Sequence, residues 1–148
     1  MRKCCFLFGH RDAPDELFEK ICSCVIEIHQ TTGICDFVVG NYGKFDRIAQ
    51  GAVASSKKLQ PQIRLCLLMA YHPFDRKTEI KAEYDEILFP EEAETSPKRL
   101  AIVKANEYMI RSSSAFIVYV NHPGNSKKML DKVMKRACAE TLPILRLP

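Results

Sequence analysis

Short apolar runs alternate with longer segments of helical period along the whole chain. Four of the runs are too short for a helix and predict strands buried on both faces of a sheet, namely residues 4–8, 36–39, 64–69 and 115–120. Residues 86–89 predict a weaker strand that Pro90 ends. Residues 142–147 predict a last strand, which Pro143 places near an edge or at a strand start.

The longer segments between these runs predict helices over residues 12–32, 45–58, 97–110 and 125–140. Asp12 is placed to cap the first of them, Pro14 suits its first turn, and Gly33 is placed to end it. Ser96 and Pro97 are placed in the same way at the start of the third helix.

Strands that alternate with helices predict βαβ units and a parallel sheet. The expected fold is α/β, a Rossmann-like three-layer sandwich with a mostly parallel sheet of about five strands and helices on both faces. The 148 residues are expected to form one domain. Residues 70–96 are the least regular part, and their charged and aromatic side chains are typical of a lid or a partner surface.

Composition narrows the functional classes. The net charge is only +4, and the adjacent pairs Lys57-Lys58 and Lys127-Lys128 are interpreted as solvated helix faces, so we expect no nucleic-acid partner. The seven cysteines are odd in number and form no C-x-x-C pair, which favours reduced structural thiols and no metal site. No apolar run approaches the roughly 20 residues of a membrane helix, and no cleavable leader is recognised. We therefore expect a cytoplasmic protein with no membrane partner.

Candidate chemistry follows the strands, because open α/β sheets bind ligands beyond the carboxyl ends of their strands. Glycines there allow close backbone approach, and helix N-termini offer free N–H groups to anions. Arginine adds a forked cation for phosphate or carboxylate, and aspartate can accept from ribose hydroxyls or cap a helix. The candidate ligand-binding residues in these loops are Gly9, His10, Arg11, Gly40, Asn41, Gly43, Phe45, Asp46, Gly124 and Ser126.

Several of these residues have an alternative, purely structural interpretation. Gly40 and Gly43 also fit a tight turn that has no ligand. Tyr42 and Phe45 either stack on a base or pack the turn onto the sheet. Three histidines, at positions 10, 72 and 122, follow strands, but none has a second ligand at metal-binding spacing.

Three stretches of the chain carry a family resemblance. Phe8-Gly9-His10-Arg11 resembles the T-G-H-R motif that opens the YpsA-like branch of the SLOG superfamily. The stretch from Gly40 to Asp46 is similar to its G-x-x-G-x-F-D segment, and residues 97–119 resemble its P-x-R…R-N-x-x-M-I…D-x-x-I-x-Y stretch. The resemblance covers nearly the whole chain.

The resemblance implies a Rossmann-like fold with a pocket for nucleotide-derived ligands, and a bacterial source. It adds Arg99 and Asn106 to the pocket candidates. The superfamily includes the lonely-guy phosphoribohydrolases, whose P-G-G-x-G-T-x-x-E motif corresponds here to residues 123–130. That segment keeps one glycine and lacks the threonine and the glutamate, which argues against phosphoribohydrolase activity.

Three functional hypotheses follow. The first is binding or sensing of ADP-ribose, NAD or a related nucleoside phosphate without clear catalytic machinery; no particular cofactor is predicted beyond this nucleotide-like ligand. The second is hydrolysis of a nucleotide N-glycosidic or phosphate bond, with His10, Asp46 and the acids at 91, 92 and 94 as candidate groups. The third is single-stranded DNA binding like that of DprA-type proteins, which the modest charge disfavours. We also expect a homodimer, the commonest closed assembly.

Overall fold

The computed structural model describes residues 2–71 and 83–148, and it forms one six-stranded sheet in which every strand pair is parallel. The strand order across the sheet is β4-β3-β2-β1-β5-β6. The predicted α/β fold is confirmed, with six strands where about five were expected. The strands are β1 (Cys4–Gly9), β2 (Asp36–Val39), β3 (Arg64–Leu68), β4 (Glu86–Leu88), β5 (Ala115–Tyr119) and β6 (Ile144–Arg146).

Helices cover both faces of the sheet, as the alternating pattern predicts. Within the described residues there are five α-helices, α1 (Leu17–Thr32), α2 (Lys44–Leu59), α3 (Glu91–Glu94), α4 (Ala101–Ser112) and α5 (Asn125–Ala139), and one 3-10 turn, Lys98–Leu100. The apolar stripes of α1 and α2 share one buried cluster, and those of α4 and α5 share the other. β1 alternates between them, with Leu7 in the first cluster and Phe6 and Phe8 in the second.

The start of the first helix differs from the prediction. α1 begins at Leu17, and Asp12 lies in a turn that precedes it. The reason is tertiary: Ala13 is fully buried, and its N–H bonds to the His10 carbonyl at 3.3 Å, which closes a turn over the end of β1. The predicted end of the helix is confirmed, because Gly33 adopts φ 76° and its N–H bonds to the His29 carbonyl.

The predicted cap of the third helix is also wrong. α4 begins at Ala101, after the 3-10 turn, and the Ser96 hydroxyl donates to the Glu92 carbonyl instead of capping α4. The acidic stretch that holds Glu92 forms the short helix α3. It is helical because Ala93 is buried against the second apolar cluster.

The strand order creates a switch point beside β1. From β1 the chain adds β2, β3 and β4 in one direction, and β5 then pairs with the other edge of β1. The connections after β1 and β5 therefore leave in opposite directions, and a crevice opens between the carboxyl ends of these two strands. Crevices of this kind are where open α/β sheets bind their ligands.

The sequence also predicts that the chain has no membrane helix and that residues 70–96 form a lid or a partner surface. Within the described residues, no helix is both long and apolar enough to cross a lipid bilayer. His72 and the rest of residues 72–82, within the irregular stretch at 70–96, lie outside the described residues. Of the part that is described, only Ala70 lines the cavity presented below.

Candidate functional site

A cavity of about 400 Å³ opens at the carboxyl edge of the sheet, on the side that α4 and α5 cover. This volume lies within the range of about 300–1,000 Å³ that is usual for small-molecule sites. Nine of the twelve residues predicted to bind a ligand line it: Gly9, His10, Arg11, Gly40, Gly43, Asp46, Asn106, Gly124 and Ser126.

The other three predicted residues lie outside the cavity wall. Phe45 is buried and stacks its ring parallel to that of Tyr119, with centroids 6.5 Å apart, so it packs the start of α2 onto the sheet. The Asn41 side chain accepts a hydrogen bond from the amide of Gln50 at 3.3 Å. Arg99 is exposed on the 3-10 turn before α4.

Gly9 is needed because Phe45 and Tyr119 leave no room for a side chain. A Cβ atom at Gly9 would lie 2.7 Å from Cδ2 of Phe45 and 3.0 Å from Cβ of Tyr119. We expect Gly9→Ala to lower the free energy of unfolding by roughly 1–3 kcal/mol, the usual cost of overpacking, measured by urea denaturation. In the matched variant Gly51→Ala, the new Cβ meets only ordinary contact inside helix α2, so stability should stay equal or rise. Equal stability of wild type and Gly9→Ala would contradict this packing argument.

Backbone and side-chain hydrogen bonds join the loops around the cavity. The Lys44 N–H donates to the Arg11 carbonyl at 3.3 Å, which ties the loop after β2 to the loop after β1. The Ala70 N–H donates to the Tyr42 hydroxyl at 2.9 Å, which ties in the end of β3. Tyr42 therefore packs and bonds within the protein while also lining the cavity.

His10 joins the loop after β1 to the loop after β5. Its imidazole is buried, and Nε2 accepts the backbone N–H groups of Asn121 at 2.9 Å and His122 at 3.3 Å. An imidazole nitrogen that accepts two N–H groups carries no proton, so the proton lies on Nδ1. Burial lowers the pKa of His10, and the neighbouring His122 lowers it further.

His122 stacks on His10 in the opposite electrostatic environment. The two ring planes are nearly parallel, and their centroids lie 3.5 Å apart. His122 Nδ1 donates to the Pro123 carbonyl at 2.9 Å, and Nε2 lies 3.5 Å from a carboxylate oxygen of Asp12. The bond to Pro123 raises the pKa of His122, and Asp12 adds to that rise. As the pH falls, His122 is therefore the first of the pair to gain charge.

Two helices begin at the cavity without a side-chain cap. Gly43 precedes α2 and Gly124 precedes α5, and neither helix has a side-chain hydrogen bond at its N-cap. Gly124 has φ 147°, which other residues rarely adopt. Uncapped N-termini present N–H groups and partial positive charge, the arrangement that binds anions such as phosphate.

Cationic side chains add to this potential. Arg11 and Lys128 line the cavity, and within the described residues neither forms an ion pair. Lys132 also lines it, but Lys132 pairs with Glu107 at 3.0 Å. Arg11 packs beside Gly43, where a Cβ would come within 3.0 Å of Cγ of Arg11. The base of the Arg11 side chain therefore lies beside the residue that precedes α2.

Asp46 is one of three acidic residues of the cavity wall, together with Asp12 and Glu107. Its Oδ2 accepts the Tyr42 N–H at 3.0 Å and lies so close to Gly40 that a Cβ there would come within 2.7 Å. Burial raises the pKa of Asp46 to about 6, although the Tyr42 hydrogen bond and the nearby Arg11 charge oppose that rise. A carboxyl group with this pKa can accept a hydrogen bond or a proton near neutral pH, as groups at functional sites often do.

The rest of the wall is largely apolar. It consists of strand, helix and loop residues that the sequence analysis did not single out as ligand-binding, namely Phe6, Leu7, Phe8, Leu68, Ala70, Ile102, Val103, Ala105, Ile110 and Met129. Asn106 on α4 interrupts this surface with an amide. The cavity thus combines a charged end at the loops, where Arg11 lies with Asp12 and Asp46, with an apolar end between α4 and the sheet.

Sequence reasoning missed several charged wall residues. Lys128 was interpreted as a solvated helix-face lysine, yet it lines the cavity while remaining exposed. Lys132 follows it by four residues, one helical turn, so it lies on the same face. The spacing from Gly124 to Lys128 and Lys132 is the signal that identifies this wall once α5 is known to begin at the cavity.

A second cluster of polar residues lies at the opposite edge of the sheet. Donor atoms of Asp36, Cys66 and Glu86 come within 4.8 Å of one another, which makes them the one group of potential metal ligands among the described residues. However, the Arg64 guanidinium bonds to Asp36 at 3.1 Å and to Glu86 at 3.3 Å. Burial raises the pKa of the Cys66 thiol to about 12. An ion pair with Arg64 accounts for this cluster.

No protein-family model and no curated protein sequence matches the chain.

Proposed function

We propose that the protein binds a nucleotide-derived small molecule, such as ADP-ribose, NAD or a nucleoside phosphate, in the cavity at the switch point. The observation that carries this proposal is the meeting of two helix N-termini with Arg11 beside an apolar chamber; among the described residues, no side chain caps either helix and none forms an ion pair with Arg11. Helix N-termini and a forked guanidinium suit phosphate oxygens, whereas the apolar wall suits a base.

Asp46 supports a ligand that also carries hydroxyl groups. Its carboxylate stands beside Gly40 at the cavity wall and accepts only one hydrogen bond among the described residues, from Tyr42. A carboxylate has capacity for more than one donor, so a ribose diol can add its hydroxyls there. Nucleotides join phosphate, ribose and base in one molecule and match all three parts of the wall.

Native mass spectrometry tests this proposal. The purified protein is measured alone and after mixing with ADP-ribose, NAD and AMP, and the small molecules are then analysed. We expect at least one nucleotide to bind and to be recovered unchanged. Failure of all of them to bind would refute the proposal.

A hydrolytic function is the alternative that Asp46 favours. With its pKa raised to about 6, the Asp46 carboxylate is suited to accept a proton from an attacking water near neutral pH. Incubation at high protein concentration followed by chromatography distinguishes the two functions. Products that form with wild type and are lost in Asp46→Asn would identify an enzyme, and intact nucleotide would identify a binding protein.

Further proposals concern the family, the cellular location and the assembly of the protein. We propose that the resemblance to the YpsA-like branch of the SLOG superfamily reflects common descent, and that the protein acts in the cytoplasm as a homodimer. The shared pattern of Gly9, His10 and Arg11 followed by Gly40, Gly43 and Asp46 supports the first proposal, because these residues lie around one cavity.

A further inference from the structure

We propose that His10 is a positioning residue that holds the loop after β5, and with it the N-terminus of α5, in the shape that binds the ligand, and that it does so only while its imidazole is neutral. Sequence patterns alone assign His10 to ligand contact or to acid–base work. Its position in the structure favours a different task, in which Nε2 is already occupied by the backbone of another loop.

Hydrogen bonds of His10 hold the loop after β5. Nε2 of His10 accepts the N–H groups of two consecutive residues, Asn121 at 2.9 Å and His122 at 3.3 Å. The backbone N–H of His10 donates to the Tyr119 carbonyl at 3.2 Å, so both loops are fixed at the end of their strands. Two residues later, Gly124 begins α5 at the cavity. The position of that helix N-terminus therefore depends on Nε2 remaining an acceptor.

The surroundings of the His10 imidazole also favour its neutral form. His122 covers one face of His10 at 3.5 Å, and Tyr119 of β5 meets it edge-on at 5.7 Å. Asp12 from the loop after β1 is the acidic group near the pair, and it lies against Nε2 of the outer His122. Arg11 and Asp46 are the other charged groups on this part of the wall. A proton on the inner ring would meet two N–H donors and a stacked ring that gains charge first.

Acidification is therefore expected to release the loop after β5. A proton on Nε2 replaces an acceptor with a donor, so the N–H groups of Asn121 and His122 lose their partner. The lowered pKa of His10 means that the neutral form is favoured by folding. The stability that it contributes is present above the ordinary histidine pKa of about 6.5 and is lost as the pH falls below that value.

The test compares His10→Gln, His10→Leu and the control His29→Gln with wild type. The glutamine oxygen can accept the same N–H groups and cannot be protonated in this range, whereas leucine accepts nothing. The His29 side chain lies near the end of α1, bonds only to the Ile34 carbonyl among the described residues and does not line the cavity. A circular dichroism spectrum of each variant establishes that it is folded.

Two readouts are used, and only the second rests on the proposed function. The first is the amide signals of Asn121 and His122 in 1H–15N NMR spectra between about pH 8 and pH 5, the range in which histidines titrate. On acidification of wild type and of His29→Gln we expect these signals to shift in two steps, first as His122 gains its proton and then, at lower pH, as His10 does. His10→Gln should keep only the first step, and in His10→Leu the signals should be displaced at every pH. A wild-type titration with the single step of His10→Gln, or wild-type signals that match those of His10→Leu, would overturn the proposal.

The second readout is the affinity for ADP-ribose, whose diphosphate keeps its charge over this range. Between the two ends of this range we expect binding by wild type to weaken about tenfold more than binding by His10→Gln, because the difference corresponds to about one hydrogen bond. Titration of Asp46 and His122, which also line the cavity, affects both proteins alike. Equal pH dependence of wild type and His10→Gln would overturn the role of His10 in binding. If ADP-ribose does not bind at all, the proposed function is in doubt, and the amide signals still decide whether His10 holds the loop.

Discussion

Arg11→Ala should weaken nucleotide binding by roughly 10- to 150-fold. Removing a charged donor from a hydrogen bond usually costs about 1.5–3 kcal/mol, which corresponds to that range of dissociation constants. Arg11 forms no ion pair among the described residues, and its side chain packs beside Gly43 at the start of α2. Its charge favours the ionised form of Asp46, but it is held in no ion pair among the described residues and can therefore bond to a ligand.

Isothermal titration of ADP-ribose or AMP into both proteins measures this effect. Arg47→Ala is the matched control, because Arg47 is an exposed arginine of α2 that does not line the cavity. We expect Arg47→Ala to bind as wild type does, and the thermal midpoints of all three proteins to agree closely. Equal loss of affinity in both variants would indicate a general effect of net charge, and no loss in Arg11→Ala would remove Arg11 from the site.

Asp46→Asn should stabilise the protein at neutral pH by about 2–3 kcal/mol while weakening ligand binding. Folding raises the pKa of Asp46 from 3.8 to about 6, and each pKa unit corresponds to about 1.36 kcal/mol. Above about pH 6 the folded protein holds an ionised carboxylate that burial disfavours. Asparagine keeps an oxygen for the Tyr42 N–H and removes the charge.

The stability difference between wild type and Asp46→Asn should depend on pH. The raised pKa means that the folded state binds the proton more tightly, so wild type gains stability as the pH falls from about 6 to about 4. Asp46→Asn should lack that gain, so the two proteins should converge at acidic pH. The reverse holds for Asp85, whose pKa the Lys57 ion pair and the Leu65 N–H lower despite burial.

Thermal unfolding of wild type, Asp46→Asn and Asp85→Asn across this pH range measures both effects. Asp85→Asn should be less stable than wild type at neutral pH, because it loses the bond to Lys57 at 2.5 Å. A thermal midpoint lower for Asp46→Asn than for wild type at neutral pH would contradict the expectation that the ionised Asp46 carboxylate destabilises the folded protein. Stability given up at a functional residue is a common trade.

The fold was predictable because its strongest signals are local. The central strands are buried on both faces, so the run from Cys4 to Phe8 carries no polar residue. Such a short apolar run indicates a buried strand from the sequence alone. Gly33 ends α1 as predicted, because its φ of 76° excludes most residues. The errors occur where tertiary contacts decide, as at Asp12, which lies in a turn that the burial of Ala13 draws over β1.

The site was predictable only to the extent that loops after strands are known to bind ligands. That rule predicted Arg11, Gly43 and Gly124 as ligand-binding residues, and all three line the same cavity. It could not separate contact from packing, since Phe45 carries the same signal as its neighbours and lies buried against Tyr119. It also could not find Lys128, because the direction in which α5 faces depends on the sheet beneath it.

The central claim is that a nucleotide binds at the switch point between β1 and β5. Addition of AMP or ADP-ribose to 15N-labelled protein tests it most directly, because each backbone amide reports its own surroundings. We predict that the first signals to shift are those of the two helix starts, Lys44 to Asp46 and Asn125 to Lys128, together with Arg11. Shifts centred on another surface, or a spectrum unchanged by every nucleotide, would contradict the claim.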